Sequence, residues 1–213
     1  KTQKSAKQIQ KFIFISGNGG SGKTELGKII SKEAAKHGRV NFLEMDDFVV
    51  DTKLRNSATT TWDDAQKKKR TGRYTTSFEA SYFLQSIKAI LYTIEKGNNY
   101  YHWPKKAKES KECRVLYGNA TLTIIEGVGT VFIEKEKSNS VSIFLICTEE
   151  VEIDRRIKRA RADNEKTAEE VNKHFNERNS QYKTFIKPHI KEYDFVLKSK
   201  EDFSLSVVRD DLN

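Results

Sequence analysis

The octapeptide GNGGSGKT, residues 17–24, directly follows the apolar run FIFIS at residues 12–16. Gly17, Gly22, Lys23 and Thr24 satisfy the phosphate-loop (Walker A) pattern G-x-x-x-x-G-K-[ST]. Glycine lets the chain turn tightly, so the backbone N–H groups of Gly17, Asn18, Gly19, Gly20, Ser21 and Gly22 can face inward as an anion nest. A helix starting at Lys23 adds the positive end of its dipole. In such a loop the lysine reaches the β- and γ-phosphates and the threonine hydroxyl binds Mg²⁺, so ATP and Mg²⁺ are the expected cofactors. A chance match in a glycine-rich turn would not be expected between a buried strand and a helix.

Outward from that junction, strands alternate with helices. Residues 12–16 read as a buried strand. A helix runs from about Lys23 to Lys36, with Leu26, Ile29, Ile30 and Ala34 as its inner stripe and His37-Gly38 as its stop. RVNFLEM is a second strand, ending at Asp46-Asp47. Residues 51–77 carry no clear period and are expected to be polar and mobile. In FEASYFLQSIKAILYTIEKG, Leu84, Ile87, Leu91 and Ile94 recur at helical spacing, and Gly97 ends the helix. NNYYHW and CRVLYG read as short strand or loop pieces, while TLTIIEG and VSIFLIC are buried strands. A charged helical stretch runs from about Glu149 to Lys187, broken near Asp163-Asn164, and YDFVLK is the last strand. Apolar strands alternating with helices predict an α/β fold: a parallel sheet covered on both faces.

Ligands in such folds sit at the carboxyl ends of the strands. Three features fall there: the glycine loop, Asp46-Asp47 and Glu126. Glu126 can hold Mg²⁺ directly or through water. Asp46, ahead of Asp47, is the candidate to accept a proton from an attacking hydroxyl. In EIDRRIKRARAD, Arg155 and Arg159 are i,i+4 neighbours on one helix face, placed to close over phosphates and stabilise transition-state charge. Tyr101 or Trp103, in YYHWP, offers a ring on which a base can stack. The run KKKR, residues 67–70, reads as a solvated face or a contact for a phosphorylated acceptor.

The net charge of +9 favours anionic partners and leaves nucleic acid open among them. Cys113 and Cys147 have no metal-like spacing, and Cys147, inside an apolar run, reads as a core residue. No disulfide framework is suggested, which points to a reducing compartment. The basic start KTQKSAKQIQK lacks the apolar segment of a secretory signal, and VSIFLIC is too short to span a bilayer. The expectation is a cytoplasmic protein without a membrane partner, compatible with a homo-oligomer.

Taken in order, the phosphate loop, MDDF, IIEG, RRIKRARAD, YKTFIKP and YDFVL resemble the uridine kinase and phosphoribulokinase group of P-loop kinases. The resemblance implies a single three-layer domain over residues 1–213, with a five-stranded parallel sheet and a helical lid around residues 150–180. Residues 1–10 would be a flexible lead-in. It implies transfer of the γ-phosphate of ATP to a hydroxyl on a small acceptor. Asp46 aligns with the family's base, Thr24 and Glu126 with its magnesium residues, and Arg155, Arg156 and Arg159 with its lid arginines. Lys23 and Arg156 would hold the nucleotide. Glu79, in SFEAS, falls near an acidic residue that binds the sugar in uridine kinases. There the pattern P-x-Y-D precedes a base-reading histidine; here YYHWPKKAK keeps Tyr101 and puts His102 at the aspartate. Glu79, Tyr101 and His102 are therefore the candidate acceptor contacts, with uridine one candidate acceptor. The competing readings are a kinase acting on a polynucleotide or nucleotide end and a nucleotide-binding switch without a small acceptor. The absence of N-K-x-D, and IIEGVG in place of D-x-x-G, argue against a GTPase.

Overall fold

A computed structural model of the chain describes residues 11–104, 113–133, 139–162 and 167–210. The lead-in at 1–10, the helix break near Asp163-Asn164 and the lysines after Pro104 lie outside the described residues. Five parallel strands form the centre of the sheet: β1 (Lys11–Gly17), β2 (Val40–Glu44), β7 (Leu122–Glu126), β8 (Ser140–Ile146) and β9 (Phe195–Ser199). A sixth, β10 (Leu205–Asp210), pairs antiparallel with β9. The order across the sheet is β10-β9-β8-β1-β7-β2. β1 is central, with Ile15 opposite Glu126 on one side and Ile143 on the other.

The strands are apolar because both faces are covered. Side chains alternate along a strand, so Phe12 and Phe14 enter one core cluster and Ile13 and Ile15 the other. On the first face, α3 (Leu84–Glu95) buries Leu84, Ile87, Ile90, Leu91 and Ile94 against Phe14, Leu43 and Ile125. On the second, α1 (Lys23–Ala34) packs Leu26 and Ile30 against Ile15, Ile124 and Leu145. Ile29, expected in that inner stripe, is 62% exposed. At 100° per residue the stripe centres on Leu26, Gly27 and Ile30, and Ile29 falls on its flank. Buried Gly27 lets Phe42 of β2 approach α1 closely.

The segment expected to be mobile is structured. It holds α2 (Thr52–Ser57) and a hairpin of β3 (Thr59–Asp63) and β4 (Lys69–Arg73). Asp64 ties its turn by accepting from Gln66 N, Lys68 N and Arg70 Nε. A second hairpin joins β5 (Tyr100–His102) and β6 (Arg114–Leu116). Two helices follow β8: α4 (Glu149–Ala162) and α5 (Ala168–Phe185). A capping box starts α5: Thr167 Oγ1 accepts from Glu170 N, and the Glu170 carboxylate accepts from Thr167 N. The first hairpin docks on α5 by polar contacts: Glu177 accepts from Arg73 N at 2.6 Å, and the Gln181 amide donates to Arg73 O at 2.8 Å. Among the described residues no helix is long and apolar enough to cross a membrane.

Candidate active site

A cavity of about 350 Å³ opens where β1, β2 and β7 end, beneath α4 and α5. It gathers Gly19, Gly20, Gly22, Lys23, Thr24, Asp46 and Glu126. The strand ends explain this convergence: β1 runs into the glycine loop, β2 into a turn over Met45–Phe48, and β7 stops at Glu126. Asp46 and Asp47 lie in that 3-10 turn rather than in the strand, which ends at Glu44. Asp46 is exposed on the cavity. Asp47 has its side chain 2% exposed and pairs with His102 Nε2 at 2.9 Å.

Gly22 caps α1 with φ of 93°, a left-handed conformation that a side chain would strain. Lys23 Nζ donates to Asn18 O at 2.8 Å, and Thr24 Oγ1 donates to Glu126 Oε1 at 2.8 Å. Burial pushes the Lys23 ammonium below its ordinary pKa, opposed by Glu126 and Asp46. Burial also raises the Glu126 carboxyl, opposed by Lys23 and by the hydrogen bond from Thr24. Ser21 Oγ is buried without a hydrogen-bond partner. A desolvated ammonium, an orphaned hydroxyl and a helix N-terminus on one loop fit an anion held there. Among the described residues no three of His, Cys, Asp and Glu cluster as a metal site. A nucleotide-bound magnesium needs only one or two protein oxygens, the rest coming from phosphate and water. Thr24 and Glu126, in contact at 2.8 Å, would fit as such a pair.

The arginines of α4 divide. Arg156 lies so close over Gly19 that a β-carbon there would collide with its guanidinium. Its Nε donates to Glu152 Oε1 at 2.8 Å, and Glu152 accepts from Asn18 Nδ2 at 2.7 Å. Arg155 is held by Gly20 O at 2.8 Å, Ser199 Oγ at 3.0 Å and Lys200 O, with its guanidinium over the Phe203 ring. It joins the glycine loop to the β9–β10 hairpin. Arg159 is exposed and lines the cavity one turn on. Cys147, expected in the core, is half-buried beside the loop, where its Sγ accepts from Asn18 Nδ2 at 3.1 Å.

The candidate acceptor contacts do not join this cavity. Glu79 lines a separate, larger groove of about 1080 Å³ between Phe83, Phe132 and Phe185, which contains none of the loop residues. Tyr101 is 68% and Trp103 66% exposed, and neither lines the cavity. His102 is buried, stacked on Phe48 with ring centroids 5.1 Å apart. The KKKR run sits at the tip and start of β4, also away from the cavity. Instead the wall near Asp46 carries Arg55, Thr76, His174 and Arg178. None of these was singled out from sequence. Arg55 Nε donates to Val50 O at 2.9 Å and its Nη1 to Tyr74 O at 3.1 Å, so the α2–hairpin segment fixes its direction. Tyr82, buried beneath this wall, donates from its hydroxyl to Thr76 O at 2.8 Å; burial and then the charge of Asp46 raise its pKa.

A family model, Phosphoribulokinase / Uridine kinase family, matches residues 12–206. No curated protein matches the chain. Among solved structures it is similar to phosphoribulokinase from Rhodobacter spheroides, at 15% identity and a TM-score of 0.59, covering 90% of this chain and 70% of that one. It is also similar to D-glycerate 3-kinase from Cryptococcus neoformans, at 14% identity and a TM-score of 0.59, covering 93% and 90%. At these identities the likeness concerns the fold alone. With the family match running from the first strand into the last, the chain belongs to the Phosphoribulokinase / Uridine kinase family and is a phosphate-loop kinase acting on a small molecule.

Proposed function

We propose that this kinase takes ATP with Mg²⁺ on residues 17–24 and transfers the γ-phosphoryl group to a hydroxyl of its small-molecule acceptor. The observation that carries the reading is that Lys23, Thr24, Glu126 and Asp46 share one cavity. Lys23 and the loop amides hold the triphosphate, and Arg156 and Arg159 bring further positive charge from α4. Thr24 and Glu126 hold the magnesium ion, which when bound neutralises charge developing on the phosphoryl oxygens. Asp46 accepts the proton of the acceptor hydroxyl as the oxygen attacks phosphorus. Helices α4 and α5 serve as the lid, excluding water that would otherwise take the phosphoryl group. Arg155, occupied by backbone carbonyls, holds the loop to the sheet edge.

Glu79, Tyr101 and His102, the residues that suggested uridine, do not line the cavity. The cavity lining supports a reading in which Arg55, Thr76, His174 and Arg178 contact the acceptor instead. A screen of ATP consumption over nucleosides, sugars, hydroxy acids, their phosphates and short oligonucleotides tests the reading. Acceptor-dependent ADP formation with a phosphorylated small product is expected. Hydrolysis that no small acceptor stimulates would overturn it.

A further inference from the structure

Four arginines gather where the hairpin segment meets α5, with too few carboxylates to match them. Arg73 has its own partner, Glu177, at 3.1 Å. The hydrogen bonds of Arg55 run to Val50 O, Tyr74 O and Thr52 Oγ1. Arg156 is engaged by Glu152. Arg178 has no hydrogen bond or ion pair with any described residue, yet it lines the cavity that contains Asp46. It also lines a small recess with Gly19, Thr75, Ser77, Glu152, Arg156 and Tyr182, so it borders the glycine loop as well. Arg178 is exposed to solvent on the cavity side; the partial enclosure by the cavity walls, and then the positive charges of Arg156, Arg55 and Arg73, push its pKa down to about 10, opposed by Glu152. His174 adds a further polar edge: its Nδ1 faces Arg73 Nη2 at 2.5 Å.

Like charges crowded together disfavour the fold unless something offsets them. The donor nucleotide is not needed for that, because the loop amides, Lys23, Arg156 and Arg159 already serve its phosphates. Arg55 and Arg178 stand on other elements, α2 and α5; both line the cavity that holds the proposed base, and the charge of Asp46 reaches Arg55. We propose that the acceptor carries an anionic group of its own, a phosphate or a carboxylate, seated on Arg178 and Arg55 next to the Thr76 and His174 edge. Guanidinium groups suit this role because their planar forks bind either oxyanion in two-point fashion. The uncharged ribosyl of a free nucleoside would leave the two arginines unmatched. The inference rests on the kinase reading only in taking Asp46 as the end toward which the acceptor hydroxyl points.

The test is calorimetric. The protein is first saturated with magnesium and a non-hydrolysable ATP analogue, so that the glycine loop is filled. It is then titrated separately with inorganic phosphate, malonate and glycerol. Saturable binding of phosphate or malonate is expected, with none for glycerol; the stronger anion names the chemical source. Arg178→Gln should weaken that binding by about ten- to a hundredfold, the scale of a charge-assisted pair. Arg178→Lys should recover part of it, and Arg55→Gln should weaken it too. Because Arg178 relieves no other group, Arg178→Gln should melt at or above the wild-type temperature. No anion binding with the loop filled, or equal binding by Arg178→Gln, would overturn the proposal. Arg178-dependent anion binding by a protein that ignores the nucleotide would instead overturn the kinase reading and leave this site standing.

Discussion

Asn18 Nδ2 donates a 2.7 Å hydrogen bond to Glu152 Oε2, and the two residues are 4% and 7% exposed. The bond ties the second residue of the glycine loop to the first turn of α4. Glu152 also anchors Arg156, so one buried carboxylate fixes the loop and the guanidinium above it.

Glu152→Ala therefore removes two partners at once. It should cost about 1–3 kcal/mol, the scale of leaving buried polar groups unmatched. It should also raise the KM for ATP, because Asn18 and Arg156 lose their alignment. Urea unfolding and steady-state kinetics check both effects; an unchanged midpoint with unchanged KM would contradict this role.

Thr24 and Glu126 meet at 2.8 Å, where magnesium would be held. Glu126→Gln keeps the shape and removes the charge. Turnover at limiting magnesium should fall by roughly 10–100-fold, the usual range when support of a metal is lost, and excess magnesium should recover part of it. A magnesium titration of kcat decides the point, and a variant with the wild-type metal requirement would exclude Glu126.

Asp46→Asn keeps the side-chain size and loses the base. Turnover should drop by about 10²–10⁴-fold, the usual contribution of a positioned base, with nucleotide affinity retained. If affinity falls and turnover of bound substrate does not, Asp46 belongs with the metal rather than the acceptor.

The pH dependence follows from Glu126. Burial raises its carboxyl in the folded protein above the ordinary 4.5, so its ionised form is disfavoured by the fold. As pH falls through the raised value the group takes up a proton. That relieves the burial cost of the charge and does not by itself unfold the chain. What is lost is the charge that favours a cation, so magnesium–nucleotide binding should weaken on the acid side, at a pH above the ordinary carboxylate range. Binding there should release protons, seen as heats that differ between buffers of unlike ionisation enthalpy. Glu126→Gln should abolish that difference; its persistence in the variant would place the proton elsewhere.

The parallel sheet, α1, α3 and the loop were legible because apolar runs and helical spacing record burial on both sheet faces. The β3–β4 hairpin was not, because Trp62 is its one buried hydrophobic residue and α5 grips it through Glu177 and Gln181. Strand β10 escaped because Val207 and Val208 are 65% and 58% exposed, so no buried face marks it. In the site, strand ends located Asp46 and Glu126. Arg178 was not legible because it stands alone in a charged helix, α5, where no motif or run of like residues distinguishes a cavity-facing arginine from a solvated one; His174 lies one turn before it. The Thr59–Trp62 run of β-formers before the Asp64 turn was the available signal for the hairpin that orients Arg55.

Calorimetric titration of a magnesium nucleotide into wild type and into Lys23→Ala tests the central claim most directly. Wild type should bind one nucleotide per chain, and Lys23→Ala, with unaltered circular dichroism and no phosphoryl transfer, should bind far more weakly. No heat from wild type, or wild-type turnover by Lys23→Ala, would contradict the assignment of residues 17–24 as the donor site.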